Sequence, residues 1–180
     1  MIKDGNQMMR VLDVEIKDWR FAVLYAVLAF VALFTGCATP ADRAVEQTER
    51  TGKVAAALGD RHYKIVVTMM NPLRGGSRQV SPEFFLEVKG DTLVSYLPYF
   101  GRAYQVPYGG GKGLNFTEVI KGYETQVMKK GRTQVTMKVK NEEDTYLFRV
   151  DVYDNGEAHI ALQPQQRERI SYSGEIDFTD

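Results

Sequence analysis

The chain is poor in the residues that usually announce a chemistry. Its single cysteine, Cys37, excludes any internal disulfide. Two histidines, His62 and His159, are too few for a histidine-rich metal site, and no metal or cofactor is expected. Charge of one sign is missing too: 23 basic residues match 23 acidic ones, for a net charge of zero. Nucleic-acid binders carry a basic excess that neutralises phosphates, so no nucleic-acid partner is expected. The apolar run Phe21 to Phe34 is fourteen residues long, short of the ~20 that a membrane-spanning helix needs. What remains is 44% hydrophobic and 26% charged, a globular balance rather than a disordered one.

The apolar run follows Lys17 and Arg20 and leads into Thr35, Gly36 and Cys37. That order fits the core of a secretory signal ending in small residues. Phe34-Thr35-Gly36-Cys37 resembles the bacterial lipoprotein processing box, with Phe34 where leucine is usual. In such proteins the cysteine thiol receives a diacylglycerol and the signal is cut before it. Asp13, Glu15 and Asp18 dilute the positive charge of the leader, and Met8 or Met9 offers an alternative start. The competing reading is an uncleaved anchor with an incidental cysteine. The expectation is lipid attachment at Cys37 and a place in the cell envelope, at the outer membrane, with the periplasmic or surface face open. Each buried lipid CH₂ contributes ~0.8 kcal/mol, so two or three chains hold durably where one holds weakly. Loss of residues 1–36 removes four basic and four acidic groups and leaves the rest neutral.

The expected organisation is a signal segment over 1–36, a lipidated cysteine and spacer helix over 37–60, and a β-rich domain over 61–180. Asp42 to Leu58 reads as the helix, with Ala44, Thr48, Thr51, Ala55 and Leu58 on a weakly apolar face and Gly59 as its stop. From Tyr63 the period changes to two. Tyr63, Ile65, Val67 and Met69 share a face, as do Phe84, Leu86 and Val88. So do Val135, Met137 and Val139; Tyr146, Phe148, Val150 and Val152; and Ala158, Ile160 and Leu162. This is the pattern of half-buried strands. Lys89-Gly90-Asp91, Lys130-Gly131, Asn141 to Asp144 and Asp154-Asn155-Gly156 punctuate them as turns. Together they predict a mainly β fold, an antiparallel meander closed as a barrel or sandwich.

Several of these pieces recur in one family. Asn71-Pro72 follows the first strand, and Tyr96-Leu97-Pro98-Tyr99-Phe100-Gly101-Arg102-Ala103-Tyr104 forms a dense aromatic block. Pro107-Tyr108-Gly109-Gly110, Gly113-Leu114-Asn115-Phe116, Asp144-x-Tyr146-x-Phe148, Asn155-Gly156-x-Ala158 and Ile170-Ser171-Tyr172-x-Gly174 complete the set. Over about residues 45 to 177 the chain resembles the domain of unknown function 4251 family, small lipoproteins of gut Bacteroidetes. The resemblance implies an envelope lipoprotein with a β-rich domain. It brings no activity, ligand or catalytic residue.

The glycine run Gly109 to Gly113 is not a phosphate loop. Val106 stands where a P-loop needs glycine, and Gly113 where it needs serine or threonine. The aromatic block carries the candidate binding residues: Tyr96, Tyr99, Phe100, Arg102, Tyr104 and Tyr108. Tyrosine offers a flat face and a polar tip, and Arg102 a planar donor fork; such groups stack on sugar rings or clasp a peptide. The block also has a structural reading, with Tyr96, Pro98 and Phe100 closing one end of a barrel and Gly101 marking a bulge. No nucleophile with its base, and no selected pair of carboxylates among Glu118, Glu124, Asp144 and Asp151, points to catalysis. The expected function is a non-enzymatic envelope lipoprotein that binds a protein, glycan or small ligand. A lipocalin-like carrier of an apolar ligand and an envelope hydrolase are the alternatives.

Overall fold

The computed structural model describes residues 23, 40–104 and 113–178. The chain divides into two compact units, Met1–Arg43 and Ala44–Asp180. Helix α1 (Pro40–Gly59) begins just before this boundary, and the second unit holds the nine strands it leads into: β1 (His62–Pro72), β2 (Arg78–Gln79), β3 (Phe85–Lys89), β4 (Thr92–Leu97), β5 (Leu114–Met128), β6 (Arg132–Lys140), β7 (Thr145–Tyr153), β8 (Glu157–Pro164) and β9 (Ile170–Asp177). From β3 to β9 every strand pairs antiparallel with its successor, and β1 pairs with both β3 and β9. This is a closed eight-stranded barrel, with the two-residue β2 added beside the end of β1. The even number matters. In an up-and-down meander of eight strands the first and last run in opposite directions, so the seam closes with antiparallel bonds like all the others.

The expected inward faces of β6, β7 and β8 are the observed ones. Val135, Met137, Val139, Tyr146, Phe148, Val150, Ile160 and Leu162 are all buried. An eight-stranded barrel is just wide enough for its side chains to fill. Here the interior is filled by Tyr146, Tyr172, Phe148, Met137 and a shell of Leu, Ile and Val. Each of these largest side chains is under 2% exposed. An interior occupied in this way by side chains weighs against the lipocalin-like carrier.

The structure departs from the sequence reading in β1. The expected face ran Tyr63, Ile65, Val67, Met69, but Met70 is buried in place of Met69. The pairing with β9 jumps from Val67↔Gly174 to Met69↔Ser173, leaving Thr68 as the extra residue of a bulge. One inserted residue flips every later side chain to the other face. Gly174 answers this bulge: a Cβ there would collide with the Val66 carbonyl oxygen.

Helix α1 covers one end of the barrel, called here the helix end. Val54 and Leu58 are buried in the core with Ala57 packed beside them, while Ala55, expected on that face, is exposed. Arg50 reaches the Asn155 carbonyl in the β7–β8 turn, and Arg61 pairs with Asp91 in the β3–β4 turn at 3.0 Å. Gly59 is the last helical residue; the left-handed backbone that turns the chain into β1 is at Arg61, with φ 51°. Lys130 and Gly131, with φ of 64° and 61°, form the tight turn between β5 and β6, as their sequence predicts.

Candidate functional site

The opposite end, where β1, β4, β6 and β8 finish, is closed by polar and aromatic side chains and is called here the mouth. It is built from three loops. The segment after β4, Pro98 to Tyr104, runs antiparallel to Gln166–Glu168 after β8, bridged at Ala103 and Arg167. Its backbone is tied by Tyr104 N–H to the Gln166 carbonyl at 2.7 Å and by Glu168 N–H to the Arg102 carbonyl at 2.9 Å. The β6–β7 turn is the third piece. Asn141 Oδ1 accepts the N–H groups of Glu143 and Asp144, an Asx arrangement that lets the chain reverse in four residues.

All three buried charges among the described residues lie here: Asp144, Arg167 and Glu168. Buried charges persist only when paired or hydrogen-bonded, and each of these is. Asp144 accepts backbone N–H groups from Thr145, Gln165 and Gln166, stapling the β6–β7 turn to the loop after β8. Arg167 binds the Glu143 carboxylate at 2.6 Å, and its guanidinium lies 5.7 Å from the Tyr99 ring centroid. Glu168 accepts the Arg102 N–H at 3.3 Å and stands 4.0 Å from the Arg74 guanidinium.

The aromatic block splits between the two readings the sequence left open. Tyr99 is structural. Its ring packs against the core, and its hydroxyl lies 3.0 Å from the Arg102 carbonyl and 3.1 Å from that of Glu168. Burial, and then the Glu168 carboxylate, push its phenol above the usual tyrosine range. Pro98 accepts the Tyr172 hydroxyl at 2.7 Å. Tyr96 does not close the barrel as expected: it points outward from β4 and stacks on Phe84 with centroids 5.3 Å apart. Phe100 likewise faces solvent, 46% exposed, with the Arg78 guanidinium over its ring at 4.0 Å. Tyr96 lies on the outward face of β4, between the buried Ser95 and Leu97, and the strand ends at Leu97, so no inward alternation extends to Phe100. Gly101 is needed for space rather than for a bulge, since a Cβ on it would stand 2.6 Å from the Tyr99 hydroxyl.

Arg102 and Tyr104 are exposed, Tyr104 at 67%. Among the described residues the Arg102 guanidinium has no partner. A cavity of about 340 Å³ opens between Arg74, Tyr99, Phe100, Arg102 and Glu168. Tyr108 and Cys37 lie outside the described residues. Sequence reasoning missed Glu143, Arg167 and Glu168. Their partners sit 24 to 94 residues away, and no local spacing marks them.

Among the described residues the mouth thus has an inner ring of paired charges and an outer rim of exposed donor and aromatic surface. Comparison with known proteins agrees with this picture at the level of fold. A family model described as Domain of unknown function (DUF4251) matches residues 45–176. A DUF4251 family protein from Bacteroides eggerthii DSM 20697, of known crystal structure, aligns with a TM-score of 0.55 at 14% identity. The alignment covers 72% of this chain and 90% of that one. No curated protein matches the chain. From the profile match over most of its length, the chain belongs to the DUF4251 family.

Proposed function

We propose that the protein is a lipid-anchored cell-envelope protein whose barrel is a non-catalytic binding module, presenting the mouth to an envelope protein or glycan. The anchor is read from the processing-box sequence at Cys37, and the outer membrane is its proposed site. One observation carries the binding role. The exposed Phe100, the exposed Arg102, whose guanidinium has no partner among the described residues, and the exposed Tyr104 line one rim, at the end of the barrel opposite the point where α1 enters. Exposed aromatics beside an arginine are the side chains that dominate recognition surfaces, because they bring area and directed donors at low entropy cost. The carboxylates of the mouth support binding over catalysis, since Asp144, Glu143 and Glu168 are each engaged in holding loops together.

The test compares the full chain with a Phe100→Ala/Arg102→Ala/Tyr104→Ala variant in pull-downs from envelope protein fractions and on isolated envelope glycans. A specific partner retained by the wild type and lost by the variant is the expected result. Identical retention by both, or no partner in any fraction, would overturn the binding role. Tyr99 is left intact because its hydroxyl holds the loop itself.

A further inference from the structure

A second groove, separate from the mouth rim, lies on the outer wall of the barrel across β7, β8, β9 and the end of β1. Its volume is about 440 Å³, within the range of roughly 300–1,000 Å³ typical of small-ligand clefts. The register explains the hollow. Arg149 faces Ala161, Ala161 faces Ser171, and Ser171 faces Asn71 across four adjacent strands. The two short side chains in the middle form a floor between longer neighbours. Arg149 and Arg169 rise on its sides, with His159 and Gln163 along the β8 wall.

The charge of this groove is one-sided. No carboxylate lines it. Both arginines are exposed, and neither has an ion pair or hydrogen bond among the described residues. His159 Nδ1 lies 3.4 Å from the Ser173 hydroxyl, the one hydrogen-bond contact of its ring among the described residues. Asp151, across from His159 in the strand register, is already engaged by Gln134 at 2.9 Å and Arg132 at 3.7 Å. Two uncompensated guanidiniums over one cleft repel each other, and an anion between them relieves that repulsion. Their planar forks match the two oxygens of a carboxylate or phosphate. Asn71, Gln163 and Ser171 add neutral donors and acceptors of the kind that read hydroxyl groups.

We infer that this groove is a binding site for a hydroxylated organic anion, an acidic sugar whose charge is a carboxylate or a phosphate. The inference is independent of the mouth. The test is calorimetric titration of the full chain in detergent with glucuronate, glucose 6-phosphate and glucose. At least one charged sugar should bind and glucose should not; the two charged probes tell which oxyanion the forks prefer. Arg149→Gln and Arg169→Gln should each weaken that binding by roughly tenfold or more, the size expected for losing a charge-assisted hydrogen bond. Their thermal midpoints should stay at the wild-type value, because both side chains are exposed. Arg102→Ala at the mouth should leave the binding unchanged. No binding of either charged sugar, equal binding of glucose, full affinity in both arginine variants, or loss of affinity in Arg102→Ala would each overturn it.

Discussion

The hydroxyl of Tyr172, deep in β9, donates a 2.7 Å hydrogen bond to the carbonyl of Pro98, the first residue of the mouth segment. Through this bond the core of the barrel sets the height of the loop that carries Phe100, Arg102 and Tyr104. A second phenol offers the opposite case. Tyr146 is fully buried, and no partner meets its hydroxyl in hydrogen-bond geometry among the described residues. The Asn141 side chain approaches closely enough to lower its pKa, but burial dominates and raises it.

Removal of the two hydroxyls should therefore separate cleanly. Tyr172→Phe leaves the Pro98 carbonyl without its donor and should cost about 1–3 kcal/mol in chemical denaturation. Tyr146→Phe deletes an unsatisfied polar atom and should be neutral or stabilising by up to about 1 kcal/mol. Equal losses in the two variants would contradict the assignment of these bonds.

Two glycines make a similar pair. At Gly174 a methyl group would run into the Val66 carbonyl at the β1 bulge, so Gly174→Ala should cost at least about 1–3 kcal/mol or prevent folding. At Gly52 nothing lies within 4 Å of a Cβ on the exposed side of α1. Gly52→Ala should stabilise by about 0.4–1 kcal/mol through the unfolded chain and helix propensity. Thermal midpoints of the two proteins, moving in opposite directions, check both.

Alkali should unfold the barrel. Burial raises the phenols of Tyr63, Tyr99, Tyr146 and Tyr172 above their ordinary value, with Tyr123 adding to it at Tyr63 and Glu168 at Tyr99. In the unfolded chain these groups ionise near pH ~10. Their folded values lie higher, so the stabilisation is complete below pH ~10 and is lost as the pH climbs from there through the folded values. Denaturant midpoints should be flat from neutral pH to about pH 9 and then fall. Tyrosinate absorbance should show the buried phenols ionising together with unfolding. Ionisation of every tyrosine at the ordinary pH without loss of structure would contradict the burial.

The sequence made some parts of this molecule legible and hid others, for physical reasons. Strands β6 to β8 could be read because their inner residues meet a filled core while their outer residues meet water, which is what alternation records. In β5 the reading had little to hold. Its second half, Lys121 to Gln126, is exposed at every position except Tyr123, and it pairs only with β6, so no face is reserved for apolar residues. The bulge at Thr68 was invisible because Met69 and Met70 are equally apolar, and only the pairing with Gly174 and Ser173 decides which turns inward. At the mouth, composition singled out the tyrosines but could not sort them. Tyr99 became structural because the carbonyl of Glu168, 69 residues away, accepts its hydroxyl. The outer groove depends on Arg149, Ala161 and Ser171 falling in one cross-strand row, a fact of register rather than of local sequence.

The proposed function begins with the lipid, and incorporation of radiolabelled palmitate tests it most directly. The full chain expressed in a bacterium with lipoprotein processing should take up label and sediment with membranes, and Cys37→Ala should lose the label. A Cys37→Ala protein labelled and membrane-bound to the same extent as the wild type would contradict it.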